Sequence, residues 1–189
     1  ALLKQPPRLE DCPICFLTLP ALQTGKRYMS CCGKIICSGC IHAGAMVGDD
    51  QLCPFCRTPA PKTEEKAIER INKRVEVDDS VGMYSLGCYY SEGVYGMPQD
   101  YTKALELWHR AAELGCAEAY FNIALYYRHG EGGTIDEKKA THYFELAAMG
   151  GVLEARHNLG CDDCNAGNME KALKHFLIAV GSGSHLSLK

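Results

Sequence analysis

Three cysteine pairs share a two-residue gap: Cys12-Pro-Ile-Cys15, Cys37-Ser-Gly-Cys40 and Cys53-Pro-Phe-Cys56, with the adjacent Cys31-Cys32 between the first and second. Such a gap lets both thiolates of a tight turn reach one tetrahedral ion, with sulfur at about 2.3 Å from zinc. These eight of the twelve cysteines lie in the first third of the chain and divide into two four-sulfur sites. So short a stretch buries too little apolar surface to offset its chain entropy, so a metal or disulfides must close the gap. A disulfide framework would need an oxidising compartment. A rubredoxin-like iron site is open on ligand softness. Closely spaced pairs on turns suit a metal better than loop-closing disulfides, and two sites with these spacings favour two Zn2+ ions. Thiol ligands of this kind point to the cytoplasm or another reducing compartment.

The remaining residues offer little catalytic chemistry. No nucleophile–base pair, phosphate loop or paired-carboxylate site is legible after the cysteine-rich third. Gly130-Glu-Gly-Gly133 reads as a loop, because it follows a helical pattern rather than a strand and lacks the lysine of a phosphate-binding motif. Cys161-Asp-Asp-Cys164 has the gap of a metal or redox pair, yet Cys161 aligns with Cys88 and Leu125 at an apolar helical position, which makes it a packed cysteine. The histidines are dispersed.

The elements that must position the cysteines change character along the chain. Glycine and proline punctuate the first third, whereas alanine, leucine and tyrosine at helical spacing dominate later. The join falls near Pro59-Ala60-Pro61-Lys62. At 189 residues, 47% hydrophobic and 23% charged with a net charge of −3, the chain is globular and long enough for one or two domains. No apolar run suggests membrane insertion, and the slightly acidic balance gives no general attraction to nucleic acid or anionic membrane. The chain opens at Ala1 without a methionine, so a fragment or processed form is expected.

The order of the pairs resembles the RING finger family, over residues 10 to 59, including Asp11-Cys-Pro-Ile-Cys15 and Cys53-Pro-Phe-Cys-Arg57. The resemblance implies a small zinc-stabilised α+β module with a cross-brace. Cys12, Cys15, Cys37 and Cys40 would form the first site, and Cys53 and Cys56 would join Cys31 and Cys32 in the second. The common pattern places histidine where this chain has Lys34, which cannot ligate zinc. The all-cysteine variant uses Cys31 and Cys32 instead, with His42 as the alternative eighth ligand. Family members mostly hold a ubiquitin-charged conjugating enzyme in a reactive geometry and have no nucleophile of their own. The resemblance assigns Ile14 and Pro54 to the surface that packs on that enzyme. It makes Arg57 the linchpin that bridges enzyme and ubiquitin, a task suited to a planar five-donor fork. The family's large aromatic four residues past the sixth ligand is here Gly44.

Residues 78 to 183 repeat themselves. Gly82-Met-Tyr-Ser-Leu-Gly-Cys-Tyr-Tyr90 aligns with Ala119-Tyr-Phe-Asn-Ile-Ala-Leu-Tyr-Tyr127 and with Ala155-Arg-His-Asn-Leu-Gly-Cys-Asp-Asp163. Lys103-Ala-Leu-Glu-Leu-Trp-His-Arg-Ala-Ala-Glu113 aligns with the segments that open at Lys139 and Lys171. Each unit reads as two amphipathic helices. Gly82, Leu86, Gly87 and Tyr90 line the first, and Ala104, Leu107, Trp108, Ala111 and Ala112 line the second. Asp100, Asp136 and Asn168 stand as N-caps, and Gly115, Gly151 and Gly183 as terminators. Tyr89-Tyr90 and Tyr126-Tyr127 belong chiefly to the core. These features resemble the Sel-one-like repeats, relatives of tetratricopeptide repeats. The resemblance implies an all-α solenoid that binds protein segments, with three units and Ser184 to Lys189 as the start of a fourth.

The expected organisation is a zinc module at 10–59, a charged linker helix at 60–77 and repeats at 78–189. The leading functional expectation is a RING-type ubiquitin ligase. Its zinc module recruits a ubiquitin-conjugating enzyme, and its repeats recruit a protein substrate or adaptor. The other is a non-catalytic zinc-containing scaffold within a larger assembly, which Lys34 and Gly44 favour.

Overall fold

The computed structural model describes residues 2, 9–20, 25–46, 48 and 51–181. Gly183 and Ser184 to Lys189, read above as a terminator and a partial fourth unit, lie outside the described residues. The chain divides into two compact units, Leu9–Leu107 and Trp108–Lys189, with Ala1–Arg8 assigned to the second.

The first unit opens with a turn around Cys12 and Cys15, and a like turn around Cys53 and Cys56 comes later in the same unit. An antiparallel hairpin follows, β1 (Lys26–Met29) and β2 (Lys34–Cys37), with Lys26 opposite Cys37 and Met29 opposite Lys34. Its loop carries Cys31 and Cys32 and closes at Gly33, whose amide donates to the Met29 carbonyl at 2.8 Å. Gly33 has φ +69°, and an added Cβ would lie 2.6 Å from the Asp79 carboxylate, so the position requires glycine. Helix α1 (Ser38–Met46) runs directly on from β2. The core here is small: Cys12, Leu19, Ile36 and Cys53 are buried, with Ile14, Met29, Ile35 and Ile41 packed around them.

Helix α2 (Glu64–Glu76) begins at Thr63, whose hydroxyl accepts from the Lys66 amide at 3.3 Å. Glu64 and Glu65 in its first turn and Lys73 and Arg74 in its last complement the helix dipole. It packs on α3 (Ser80–Glu92). The two helices and the hairpin meet at Asp79. Its Oδ1 caps α3 by accepting from the amides of Val81 at 3.1 Å and Gly82 at 3.0 Å. Its Oδ2 accepts from Arg74 Nε at 2.9 Å and from the Tyr28 hydroxyl at 3.0 Å. Burial pushes this carboxyl up, but the bonds from Arg74, Gly82 and Tyr28 outweigh it and hold Asp79 below the usual carboxylate range. Gly82 admits the close approach: a Cβ there would stand 2.7 Å from Arg74 Cβ. Helix α4 (Tyr101–Glu113) follows, and the Asp100 carboxylate accepts from the Lys103 amide at 3.0 Å at its start.

The second unit takes up α4 from Trp108 and continues through α5 (Ala117–His129), α6 (Glu137–Met149), α7 (Leu153–Asn165) and α8 (Met169–Gly181). Small residues let these helices close up: Ala124, Ala140, Ala147, Ala148 and Ala155 surround Phe144 and Leu159 in one buried cluster. A Cβ on Gly160 would meet the Phe176 ring at 2.5 Å. Asp136 caps α6 by accepting from the Lys139 amide at 3.0 Å. The Asn168 carbonyl accepts the first helical bond of α8, from Ala172. Gly115 (φ +93°) and Gly151 (φ +100°) take the left-handed conformation expected of terminators. Gly130 to Gly133 form the loop after α5.

Equivalent positions in the helix pairs are filled differently. Lys103 lies 5.2 Å from the Tyr90 ring centroid, and Lys139 lies 4.8 Å from that of Tyr127. In the next unit the tyrosine is replaced by Asp163, and Lys171 pairs with it at 3.2 Å. Tyr143 stacks between Tyr120 at 6.2 Å and Tyr127 at 5.8 Å. Their counterparts one unit later are His175, Arg156 and Asp163. Among the described residues, no helix is long and apolar enough to cross a membrane.

Candidate metal centres and docking surface

The two turns that carry the first and last cysteine pairs are built alike. In one, the Cys12 amide donates to Leu17 O at 2.8 Å and the Phe16 amide to Cys12 O at 2.9 Å. In the other, the Cys53 amide donates to Thr58 O at 2.9 Å and the Arg57 amide to Cys53 O at 2.9 Å. Asp11 bridges Thr18, and Leu52 bridges Pro59, at the mouths of the turns. Phe16 and Arg57, each directly after a pair, adopt left-handed backbone at φ +59° and +60°. Non-glycine residues rarely do so, and the cost is accepted where the surroundings demand the turn. The turn aims both sulfurs of a pair to the same side.

The eight sulfurs form two groups, Cys12–Cys15–Cys37–Cys40 and Cys31–Cys32–Cys53–Cys56, with sulfurs within 4.8 Å of one another in each. The chain order is therefore interleaved: β2 and α1 supply the partners of the first turn, and the hairpin loop supplies those of the last. His42 belongs to neither group. Sulfur–sulfur distances are 3.9 Å for Cys12–Cys40, 3.8 Å for Cys15–Cys37, 3.9 Å for Cys32–Cys53 and 3.4 Å for Cys56–Cys31. A disulfide needs about 2.05 Å. Tetrahedral geometry with zinc–sulfur bonds of about 2.3 Å requires about 3.8 Å between sulfurs. The observed spacing fits the metal and excludes the disulfide arrangement.

The thiols in each group are electrostatically unequal. Burial pushes the Cys12 thiol up, but amides of Cys37, Cys15 and Ile14 donating to its sulfur win and bring it to about 6. Cys56 also falls to about 6, where bonds from Thr58 outweigh burial. Burial and neighbouring sulfurs push Cys40 up to about 12 and Cys32 up to about 11, and Cys31 rises further for the same reasons. Negative charge on one sulfur of a group repels charge on its neighbours at this range. A divalent cation removes that repulsion.

Of the residues assigned to enzyme docking, Ile14 is half-buried against the small core. Pro54 lines a cavity of about 400 Å³ with Met29, Ile41, Gly44, Ala45 and Leu52, a group that includes neither Ile14 nor Arg57. Arg57 is exposed beside its turn. Gly44 faces Pro54, with 3.7 Å between an added Cβ and Pro54 Cβ. In the second unit, Cys161 is half-buried with its sulfur 3.8 Å from His157 Nδ1, and Cys164 joins no metal group. Sequence reading passed over the Tyr28–Arg74–Asp79 junction, although Asp79 before an apolar helix is an N-cap signal. It also read the histidines as dispersed. His175 is in fact buried, with Nε2 3.7 Å from the Asp163 carboxylate. The paired departures at Asp163 and His175 from tyrosine positions were the signal.

The Sel1 repeat family matches residues 80–116 and 117–152, so this part of the chain consists of Sel1 repeats. The helix pair of α7 and α8 continues the same pattern. A crystal structure of a Sel1 repeat protein from Oxalobacter formigenes superposes with a TM-score of 0.61 at 29% identity, covering 66% of this chain and 52% of that one. The chain is also similar to E3 ubiquitin-protein ligase GW2 of Oryza sativa subsp. indica, 37% identical over 68 residues, or 35% of this chain and 15% of the relative. It is 30% identical over 138 residues to the ERAD-associated E3 ubiquitin-protein ligase component HRD3B of Arabidopsis thaliana, covering 71% of this chain and 20% of the relative. The chain thus spans a fifth or less of these curated relatives. The fold and the family match describe a helical repeat of the kind that binds other proteins.

Proposed function

We propose that this chain is the recruiting part of a RING-type ubiquitin ligase, in which residues 10–59 hold two zinc ions and dock a charged conjugating enzyme while the Sel1 repeats hold a protein partner. The interleaved gathering of eight sulfurs at tetrahedral spacing carries the reading. The ligase names of GW2 and HRD3B support it. The zinc ions supply rigidity, tying two turns and a hairpin that share only a small apolar core. Catalysis is then positioning: Ile14 and Pro54 offer apolar contact, and Arg57 offers a fork of donors that bridges enzyme and ubiquitin. The left-handed backbone at Arg57 fixes where that fork emerges from the turn.

The test is single-turnover discharge of ubiquitin from a panel of charged conjugating enzymes. Arg57→Ala should keep two zinc ions and slow discharge by about tenfold to a hundredfold, the loss expected for charge-assisted hydrogen bonds. Ile14→Ala should instead weaken docking, with its defect relieved at high enzyme concentration. Equal discharge by wild type and Arg57→Ala removes the linchpin assignment. Gly44, which stands where the resemblance expects a large aromatic, supports the alternative of a zinc-containing scaffold. That reading gains if no enzyme in the panel binds or responds.

A further inference from the structure

In the second unit one buried arginine stands where the repeat pattern has apolar or aromatic residues. Arg156 is 1% exposed, and its counterparts are Met83 and Tyr120. Burial pulls the guanidinium below its usual range, so the site carries a desolvation cost that the apolar counterparts avoid. Its Nη1 donates to the backbone carbonyl of Leu2 at 2.8 Å, across 154 residues of sequence. The Leu2 side chain packs against the Ala124, Ala140, Phe144 and Leu159 cluster of α5, α6 and α7. A main-chain carbonyl met by a charged donor, with the adjoining leucine on a floor of small residues, is how a solenoid can hold a peptide.

A second feature surrounds the same place. His175 is fully buried and neither ring nitrogen has a hydrogen-bond partner, while Asp163 Oδ2 is likewise unmatched. Both replace members of the tyrosine stack in the preceding unit. Exchanging three stacked rings for polar groups burdens the core with desolvation that their pairing, such as Lys171 with Asp163 at 3.2 Å, offsets only in part. A recognition site gains donors and acceptors for a backbone.

We propose that α5 to α7 form a docking site for a leucine-bearing peptide of a partner protein, with Arg156 as its carbonyl clamp, and that Leu2 of this chain occupies it in cis. The proposal deepens the partner-binding half of the reading above. The occupant's chemistry is that of Leu2 itself: an aliphatic side chain beside a backbone carbonyl that accepts from Arg156. Partner and Leu2 compete for one seat, so the free chain is self-masked.

The experiment uses the full chain and a fluorescent, end-blocked peptide with the sequence of residues 1–8, read by anisotropy. Wild type should bind it weakly. Leu2→Asp puts a charge on the apolar floor, frees the seat and should bind at least tenfold more tightly. Adding Arg156→Met to Leu2→Asp should weaken binding by about tenfold to a hundredfold. Methionine is suited to the position because Met83 fills it in the first repeat. Adding Arg156→Lys instead keeps one charged donor and should recover part of the affinity, and it decides the matter if the methionine variant misfolds. No gain from Leu2→Asp, or equal affinity in the arginine, methionine and lysine chains, overturns the proposal. The assay contains no conjugating enzyme, so its failure leaves the discharge result untouched.

Discussion

The cysteine-rich residues 10–59 and the repeat helices solve the same stability problem by opposite means. The first region buries Cys12, Leu19, Ile36 and Cys53 and little else. What arranges its turns is eight sulfurs at metal-binding distance. The repeats carry a continuous floor of alanines with Phe144 fully buried among them, so packing alone suffices, and each unit leans only on its neighbours. A chain can therefore exchange apolar area for metal coordination when it must stay short and present loops, as a docking module does. It keeps apolar packing where a long regular surface is wanted.

Metal removal is the sharpest way to break this comparison. Structural zinc contributes on the order of 10 kcal/mol in small finger peptides, so a chelator should unfold residues 10–59 while the helical circular dichroism of the repeats persists. Metal analysis of the reduced protein should give two zinc per chain. Loss of all helicity on chelation would show that the regions do not differ in this way.

The junction at Asp79 tests whether the metal-held region borrows rigidity from helices. Asp79→Asn keeps a cap acceptor but loses the charge-assisted bonds from Arg74 Nε and Tyr28 at 2.9 and 3.0 Å. Urea unfolding should show a loss of roughly 1.5–3 kcal/mol with zinc content unchanged. Should stability stay within about 0.5 kcal/mol of wild type, the level of an ordinary surface substitution, the hairpin stands without this tie.

The smallest effect concerns the repeats' own departure from apolar packing. Burial holds the His175 imidazole below its usual range, while Asp163 and Glu145 oppose that and Lys171 and Arg156 add to it. The folded state thus favours neutral His175, and the unfolded chain takes the proton first as pH falls. The contribution is fully present above the unfolded value near 6.5 and is lost on acidification below it, at no more than about 1.4 kcal/mol per pH unit. His175→Leu, copying Leu107 at the equivalent position, should flatten thermal stability between pH 6.5 and the folded value. An unchanged slope would mean that another group titrates there.

The sequence by itself marked out the eight clustered cysteines, the helix pairs and most of their ends. Cysteine spacing is a local property of turns, and the stripe Ala104, Trp108, Ala111 and Ala112 follows from the 3.6-residue period, so both are legible along one dimension. Asp136 and Gly115 act within a turn of their own position and were legible for the same reason. Tertiary structure, not spacing, set His42 outside both sulfur groups and gathered Cys31 with Cys32, Cys53 and Cys56, because that depends on where a hairpin folds back. It alone placed Pro54 in a cavity shared with neither Ile14 nor Arg57. Asp79 carried no sign of a junction in the sequence until Tyr28, 51 residues away, was brought to it. Arg156 stood in the aligned repeats with nothing to set it apart until Leu2 was placed against it. Hydrogen bonds between distant residues leave no period in the sequence; they exist only once packing has removed water and left a donor facing an acceptor.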